Sequence, residues 1–152
     1  MEPAVQAHYT PEVQVQVAAL VGVTPEALGT PGGFESFVHE VGVPGNRRIV
    51  KATWHERRTP EQLGAEHHFL AALAGAGAPV CQPLPLAGGE LVASVPAGDG
   101  HFHVMCYEHA EGECLTRAKW TPELFVRWGA MVGALHRIAT DYEGPPAPLS
   151  RP

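Results

Sequence analysis

The stretch from residue 32 to residue 53, GGFESFVHEVGVPGNRRIVKAT, constrains the fold more than any other part of the chain. Two glycines open it, and strand-forming residues follow at about 34–43 and 47–53. The tripeptide Pro44-Gly45-Asn46 predicts the turn between the two strands. The returning strand carries a single lysine, Lys51, between apolar neighbours. The pattern fits an ordinary hairpin, and it also fits a phosphate site in which a glycine turn and a lysine approach the same anion.

The composition narrows the class of protein. The chain has 152 residues, of which 45% are hydrophobic and 17% charged, and these values predict one folded domain with a hydrophobic core. The net charge of −6 disfavours a nucleic-acid-binding surface. No apolar run is long enough to cross a bilayer, and the N-terminus lacks the pattern of a signal peptide. Three cysteines without short paired spacing argue against disulfides and zinc, so we expect a cytoplasmic protein with no membrane partner.

The remaining elements alternate between helices and strands. A short helix is predicted over 11–21, and a second helix over 60–74 begins with a capping box formed by Thr59 and Gln62. About three strands follow between residues 78 and 110. A long helix over 122–142 closes the pattern. This order predicts an α+β fold with an antiparallel sheet of about five strands and one helix packed on it.

The helix over 60–74 contains a candidate buried charge. Leu63, Leu70 and Leu73 share one face, and Glu66 falls on that face too. A carboxylate on a buried face is costly unless it is paired, and Lys51 on the neighbouring strand is its simplest partner. The alternative is that Glu66 lies at the edge of the face and is solvated. The spacing alone leaves both interpretations open.

In sequence order, these elements resemble the N-terminal lobe of the aminoglycoside/choline phosphotransferase family, which has a protein-kinase-like fold. The segments that carry the resemblance are GGFESFVHEV, RRIVKAT, RTPEQLGAEHHFLAALAGAGAPVCQPL, FHVMCYEHAEGECL and WGAMVGALHRI. The resemblance covers roughly residues 10–142. It implies a nucleotide-binding lobe over 1–110, and a hinge with the first helix of a second lobe over 111–152.

The resemblance implies a role for each of four residues on the phosphate side of a nucleotide. Lys51 would contact the α- and β-phosphates of ATP or GTP while paired with Glu66. Ser36, with Glu35 at the loop tip, would lie over the phosphates. Many relatives carry asparagine where this chain has Ser36.

The resemblance also implies four residues around the adenine. Ile49 would cover the base, and Tyr107 would stand at the back of the pocket. The Glu108 carbonyl and the Ala110 N–H would hydrogen-bond the edge of the base.

The family's catalytic segments have no counterpart in this sequence. The chain contains two aspartates, Asp99 and Asp141, and neither lies in a His-Gly-Asp catalytic loop or in a later metal-binding segment. We therefore expect a truncated kinase lobe that is inactive alone, with Mg²⁺ bound only in a complete enzyme. The complete enzyme would phosphorylate a hydroxyl of a small molecule. The alternative is a non-catalytic pseudokinase module, or half of a split kinase.

Two further expectations concern metals and partners. His101 and His103 lie two residues apart on one strand face, but no third ligand stands at a recognisable spacing, so no metal site is predicted. The helix over 122–142 has one apolar face. That face predicts a contact with a separate second lobe or a homodimer. Its members are Leu124, Trp128, Met131, Leu135 and Ile138.

Overall fold

The structure is a computed structural model that describes residues 2–43, 45–112, 115–116 and 119–144. It has the α+β architecture that the sequence predicts, with one antiparallel sheet and helices on both of its faces. The helices are α1 (Pro3–His8), α2 (Pro11–Val21), α3 (Pro60–Gly75) and α4 (Pro122–Thr140), with a short 3-10 helix at Pro25–Leu28. The strands are β1 (Phe37–Val43), β2 (Asn46–Trp54), β3 (Pro83–Leu84), β4 (Ala93–Ala97) and β5 (Gly100–Glu108).

The sheet is built around β5. Strands β1 and β2 form the predicted hairpin, and β2 pairs antiparallel with β5. The other edge of β5 is shared, because β3 pairs with its C-terminal end and β4 with its N-terminal half. The predicted hairpin turn includes Pro44, which lies outside the described residues, and Gly45 beside it has a φ of +84°.

The hydrophobic core lies on one face of this sheet, under α1, α2 and the 3-10 helix. Val50 and Ala52 from β2 and Val104 from β5 are fully buried there. They meet Val17 and Ala18 from α2, which are also fully buried. Because side chains alternate along a strand, the residues between these positions point to the opposite face. That opposite face is therefore free to receive α3 and a ligand.

Two helix starts confirm the predicted capping residues. Thr10 Oγ1 accepts a hydrogen bond from the Val13 N–H at the start of α2. At the start of α3, Thr59 Oγ1 accepts from the Gln62 N–H at 3.3 Å, and Gln62 Oε1 accepts from the Thr59 N–H at 2.9 Å. These reciprocal bonds are the predicted capping box, and they fix where α3 begins.

The buried face of α3 differs from the predicted one. Leu63 and Leu73 are buried as expected, whereas Glu66 and Leu70 are only partly buried. The buried polar residue of this helix is His67, which is 2% exposed. Of the two interpretations that the sequence left open for Glu66, the position at the edge of the buried face matches the structure, in which the next residue faces the sheet.

Helix α4 starts as predicted but lies largely in solvent. Thr121 caps it through the Leu124 N–H, and Trp120 stacks on Phe125 with ring centroids 4.8 Å apart. None of its residues is buried, and Trp128 is 51% exposed. Just beyond its C-terminal end, Tyr142 contacts α3. Within the described ranges no helix combines the length and hydropathy needed to cross a membrane.

Candidate nucleotide site

The candidate site lies on the sheet face opposite the core, where β2 and β5 run side by side. Ile49 lies directly opposite Tyr107, and Lys51 lies directly opposite Met105. Residues paired in this way point to the same face of a sheet, so the four side chains form one patch. Met105 is buried at its base, and the other three side chains are partly exposed. The structure thus brings together Lys51, Ile49 and Tyr107, three of the residues expected in the site.

Tyr107 links this patch to α3. Its hydroxyl lies 2.9 Å from His67 Nε2, and the two rings meet edge to face with centroids 5.4 Å apart. The same hydroxyl donates to Met105 Sδ at 3.5 Å. Burial raises the pKa of the Tyr107 hydroxyl, and the charge of Glu66 and a hydrogen bond with it raise that pKa further. Glu66 therefore faces the site from the helix, beside Tyr107.

Lys51 and Glu66 do not form the expected ion pair in the structure. Among the described residues, none of the ion pairs with a nitrogen–oxygen distance within 4.0 Å joins these two side chains. Both charges nevertheless act on His67. Burial lowers the pKa of this histidine, the Glu66 carboxylate raises it and the Lys51 ammonium lowers it. Both groups are therefore close enough to His67 to influence its charge.

The double-glycine segment forms a tight turn before β1. Gly32 and Val38 exchange backbone hydrogen bonds of 2.8 and 3.1 Å, which close the turn. Gly33 has a φ of +96°, and a Cβ atom there would press into the Ser36 carbonyl oxygen. Glycine is therefore required at this position. The turn leaves Phe34 exposed at its tip.

The two loop residues expected over the phosphates occupy different places. Ser36 is buried, and its Oγ lies 2.8 Å from Thr53 Oγ1. Since Thr53 follows Lys51 by two residues, it lies on the same strand face as the lysine. Glu35 is exposed and lines a 360 Å³ cavity with Trp54, Arg57 and others at the far end of β2. Ser36 thus lies beside the face of β2 that carries Lys51, and Glu35 lines a separate cavity.

The hinge after β5 carries the two backbone groups expected at the adenine edge. Glu108 and Ala110 line a 530 Å³ cavity, together with Arg47, Cys81 and Leu84 among others. The Glu108 N–H is already bonded to the Gln82 carbonyl at 2.9 Å. Within the described residues, the Ala110 N–H has no hydrogen-bond partner. It is therefore free to bind a ligand.

A separate cluster of histidines lies at the N-terminal end of β5, away from the hinge. The rings of His101 and His103 lie 4.8 Å apart, and His55 stacks on His101 at 4.6 Å. In the part of the chain that the structure describes, no group of three or more His, Cys, Asp or Glu residues is arranged to hold a metal ion.

Sequence reasoning missed two residues of this face. His67 follows Leu63 by four residues, a helical spacing that places both on one side, and this spacing could have identified it. Thr53 alternates with Lys51 along β2 and could have been identified in the same way. Their hydrogen bonds to Tyr107 and Ser36 depend on tertiary packing, which the sequence pattern does not show.

Comparison with known families identifies the fold to which this site belongs. Residues 27–152 match the model of the phosphotransferase enzyme family, APH. The chain belongs to this family. The match covers the glycine turn, the lysine strand, α3, the hinge and α4, and it confirms the resemblance inferred from the sequence.

Two related sequences extend this result. Amicoumacin kinase of Bacillus subtilis (strain 168) is 29% identical over 133 residues, which are 87% of this chain and 40% of the relative. An uncharacterized protein of Deinococcus radiodurans is 33% identical over 98 residues, which are 64% of this chain and 27% of that protein. The chain therefore spans less than half the length of these relatives.

Two solved structures share the fold. An amicoumacin kinase, hAmiN, in complex with AMP-PNP, Ca²⁺ and Ami aligns with a TM-score of 0.83 and 29% identity, over 94% of this chain and 44% of that one. A microcompartment-associated aminopropanol kinase aligns with a TM-score of 0.73 and 21% identity, over 90% of this chain and 42% of that one. The second likeness concerns the fold alone.

Proposed function

We propose that this chain is the nucleotide-binding lobe of a phosphotransferase that moves the γ-phosphate of ATP or GTP to a hydroxyl of a small molecule. The observation that carries the proposal is the patch formed by Lys51, Ile49 and Tyr107 beside the glycine turn, in a chain of the phosphotransferase enzyme family. The solved amicoumacin kinase, with AMP-PNP and Ca²⁺, supports a nucleotide as the ligand.

The residues of the patch suit a nucleotide. Lys51 has no ion-pair partner within the described residues, so its ammonium group is available for phosphate oxygens. Ile49 offers an apolar surface to a base, and the Ala110 N–H offers a donor to its edge. The glycine turn at Gly33 would let backbone N–H groups approach phosphate oxygens closely.

The chemistry of transfer needs groups beyond this patch. The nucleotide supplies the phosphoryl group, and Lys51 would hold its α- and β-phosphates, with Glu66 facing the same site from α3. The two aspartates of the chain lie in the β4–β5 turn and at the C-terminal end of α4, and neither is among the patch residues Lys51, Ile49 and Tyr107. A catalytic aspartate and the Mg²⁺ ligands would therefore come from a second lobe, which would also bind the acceptor.

Helix α4 offers a surface for that second lobe. Trp120, Phe125 and Trp128 pack on one another and are between 38% and 53% exposed. Exposed clusters of large apolar side chains usually mark an interface. We assign this surface to the second lobe of the kinase fold, and a homodimer through α4 is the competing outcome.

Binding of ATP to the purified chain tests the proposal. Because only one wall of the cleft is present, we expect a Kd on the order of 1 mM, about −4 kcal/mol. Lys51→Met removes charge-assisted hydrogen bonds worth about 1.5–3 kcal/mol, so it should weaken binding roughly ten- to a hundredfold. Lys119→Met, which removes the other lysine of the chain, is the control and should leave the affinity unchanged. Equal affinities of the Lys51 and Lys119 variants would contradict the proposal.

A non-catalytic binding module is the second candidate function. The observation for it is that neither of the two aspartates belongs to the patch, because Asp99 lies in the β4–β5 turn and Asp141 follows α4. A phosphotransfer assay separates the two functions when the chain is mixed with a complementary second lobe. Turnover in that mixture, and none by the 152-residue chain alone, is the result expected for a kinase lobe.

A further inference from the structure

The loop of the double-glycine segment is attached to the strand that lies beside Lys51. Gly32 and Val38 exchange two backbone hydrogen bonds, and Val38 lies directly opposite Lys51 in the β1–β2 pair. Residues 33–37 therefore form a loop whose base lies in the same row of the sheet as the lysine. Phe34, near the tip of this loop, is 83% exposed, so packing against the rest of the lobe does not hold the tip in place.

A pair of buried hydroxyl groups joins this loop to the lysine strand itself. Ser36 and Thr53 are 6% and 3% exposed, and Ser36 Oγ lies 2.8 Å from Thr53 Oγ1. The pair continues the register of the hairpin, in which Phe37 lies opposite Ala52. Because side chains alternate along β2, Thr53 points to the same face as Lys51. The loop is therefore bonded to β2 on the face where the candidate site lies.

The position of Ser36 also determines the path of the turn at Gly33. A Cβ atom at Gly33 would press into the Ser36 carbonyl oxygen, so the backbones of these two residues are in close contact. In the ranges that the structure describes, the bond to Thr53 is the only side-chain hydrogen bond of residues 33–36. Its loss would leave one buried hydroxyl without a partner and would release the loop from the face of the sheet that carries the lysine.

The burial of Ser36 argues against direct contact between its hydroxyl and a phosphate group. The hydroxyl is almost fully enclosed and is bonded to Thr53, so it would have to give up that bond to reach a ligand. The backbone N–H groups of the glycine turn require no such exchange. These contacts favour an action of the hydroxyl through the position of the turn.

We propose that the hydrogen bond between Ser36 and Thr53 holds the glycine turn in place beside Lys51, which makes both residues positioning residues for the phosphates of the nucleotide. The inference rests on the proposed nucleotide-binding function. The role of the serine then differs from the contact over the phosphates that the family resemblance implies.

The test compares three variants of the full chain, namely Ser36→Ala, Thr53→Val and the double variant. Each lacks the hydrogen bond, so each should bind ATP about fivefold more weakly than the wild type, the effect of one neutral hydrogen bond. Stability in urea unfolding should behave differently. Each single variant leaves a buried hydroxyl unpaired and loses free energy of unfolding, whereas the double variant removes both hydroxyls and recovers most of that loss. An affinity that recovers together with the stability would show a structural role alone and would overturn the inference.

Two further variants serve as controls. Thr53→Ser keeps a hydroxyl at this position and should bind ATP as the wild type does. Ser94→Ala removes an exposed hydroxyl that lies 3.1 Å from His103 Nδ1, on the strand at the other edge of β5. Because this hydroxyl does not contact the glycine turn, its removal should leave the affinity for ATP unchanged.

Other results would separate this inference from the proposed function. A loss of affinity in Ser36→Ala without one in Thr53→Val would show that the serine contacts the nucleotide directly, and it would overturn the inference alone. Wild-type affinity in both variants, with weaker binding by Lys51→Met, would do the same. Absence of ATP binding by the wild type at millimolar concentration would overturn both the inference and the proposed function.

Hydrogen exchange in the free chain tests the attachment of the loop without a nucleotide. The Gly32 and Val38 N–H groups bond each other's carbonyl oxygens at the base of the loop, and they should exchange faster in Ser36→Ala and in Thr53→Val. In Ser94→Ala their exchange should match that of the wild type. Equal exchange in all of these proteins would show that the hydroxyl pair does not hold the turn, and it would refute the inference whatever the affinities.

Discussion

The tight turn at Gly33 leads to a prediction with a matched control. Gly33→Ala should destabilise the chain more than Gly89→Ala, although the two glycines have nearly the same φ, +96° and +94°. At Gly89 an added Cβ has no other atom within 4 Å. At Gly33 it would press into the Ser36 carbonyl oxygen and lie 3.0 Å from Val38 Cγ2. The two substitutions therefore share the backbone cost and differ in the steric one.

The magnitudes follow from these two costs. A positive φ costs an alanine about 1–2 kcal/mol, and we expect this loss in free energy of unfolding for Gly89→Ala. Overpacking adds about 1–3 kcal/mol at Gly33, so the total there is about 2–5 kcal/mol. Domains of ordinary stability have about 5–15 kcal/mol in total, so the variant should still fold.

Urea unfolding of both variants, followed by circular dichroism, measures the difference. A shift of the transition midpoint with an unchanged slope reports a change in stability alone. We expect the Gly33→Ala midpoint to lie well below that of Gly89→Ala. Equal midpoints would mean that the turn relaxes around the methyl group, and the argument that the turn requires glycine would be refuted.

Two further predictions concern pH and assembly. Burial lowers the pKa of His39 in the folded chain. As the pH falls below about 6.5, the unfolded chain therefore takes up a proton before the folded chain does, and stability is lost as the pH falls through the folded pKa. His39→Gln should make the melting temperature less dependent on pH between 7 and 5, and an unchanged dependence would contradict this role. Trp128→Glu should reduce any self-association in light scattering while leaving the melting temperature nearly unchanged, because Trp128 is 51% exposed. A large loss of stability would mean that α4 folds onto the lobe instead.

The elements that the sequence predicted correctly are those with local signals. Thr59 and Gln62 define the start of α3 because a capping box involves only neighbouring residues. The hairpin of β1 and β2 follows from strand-forming residues around a glycine turn. Helix α1 was missed, since its six residues, PAVQAH, are too few to give a periodic pattern.

The parts of the site that could not be predicted depend on how elements pack. The phase of α3 decides whether Glu66 or His67 faces the sheet, and a rotation of one residue is beyond what an apolar pattern resolves. The pairing of Ser36 with Thr53 likewise depends on the register of β1 against β2, which the turn sets. The position of Ile49 and Lys51 on one face was predictable, because strand alternation alone determines it, whereas the position of Tyr107 on that face depends on the register of β2 against β5.

The most direct test of the central claim is an NMR map of the residues whose signals shift when ATP is added to the chain. The account predicts that the largest shifts occur at Lys51, Ile49 and Tyr107, at the glycine turn and at the Ala110 N–H, and that Lys51→Met removes most of them. Shifts confined to the core face under α2, or no shifts at millimolar ATP, would contradict the assignment of this lobe to nucleotide binding.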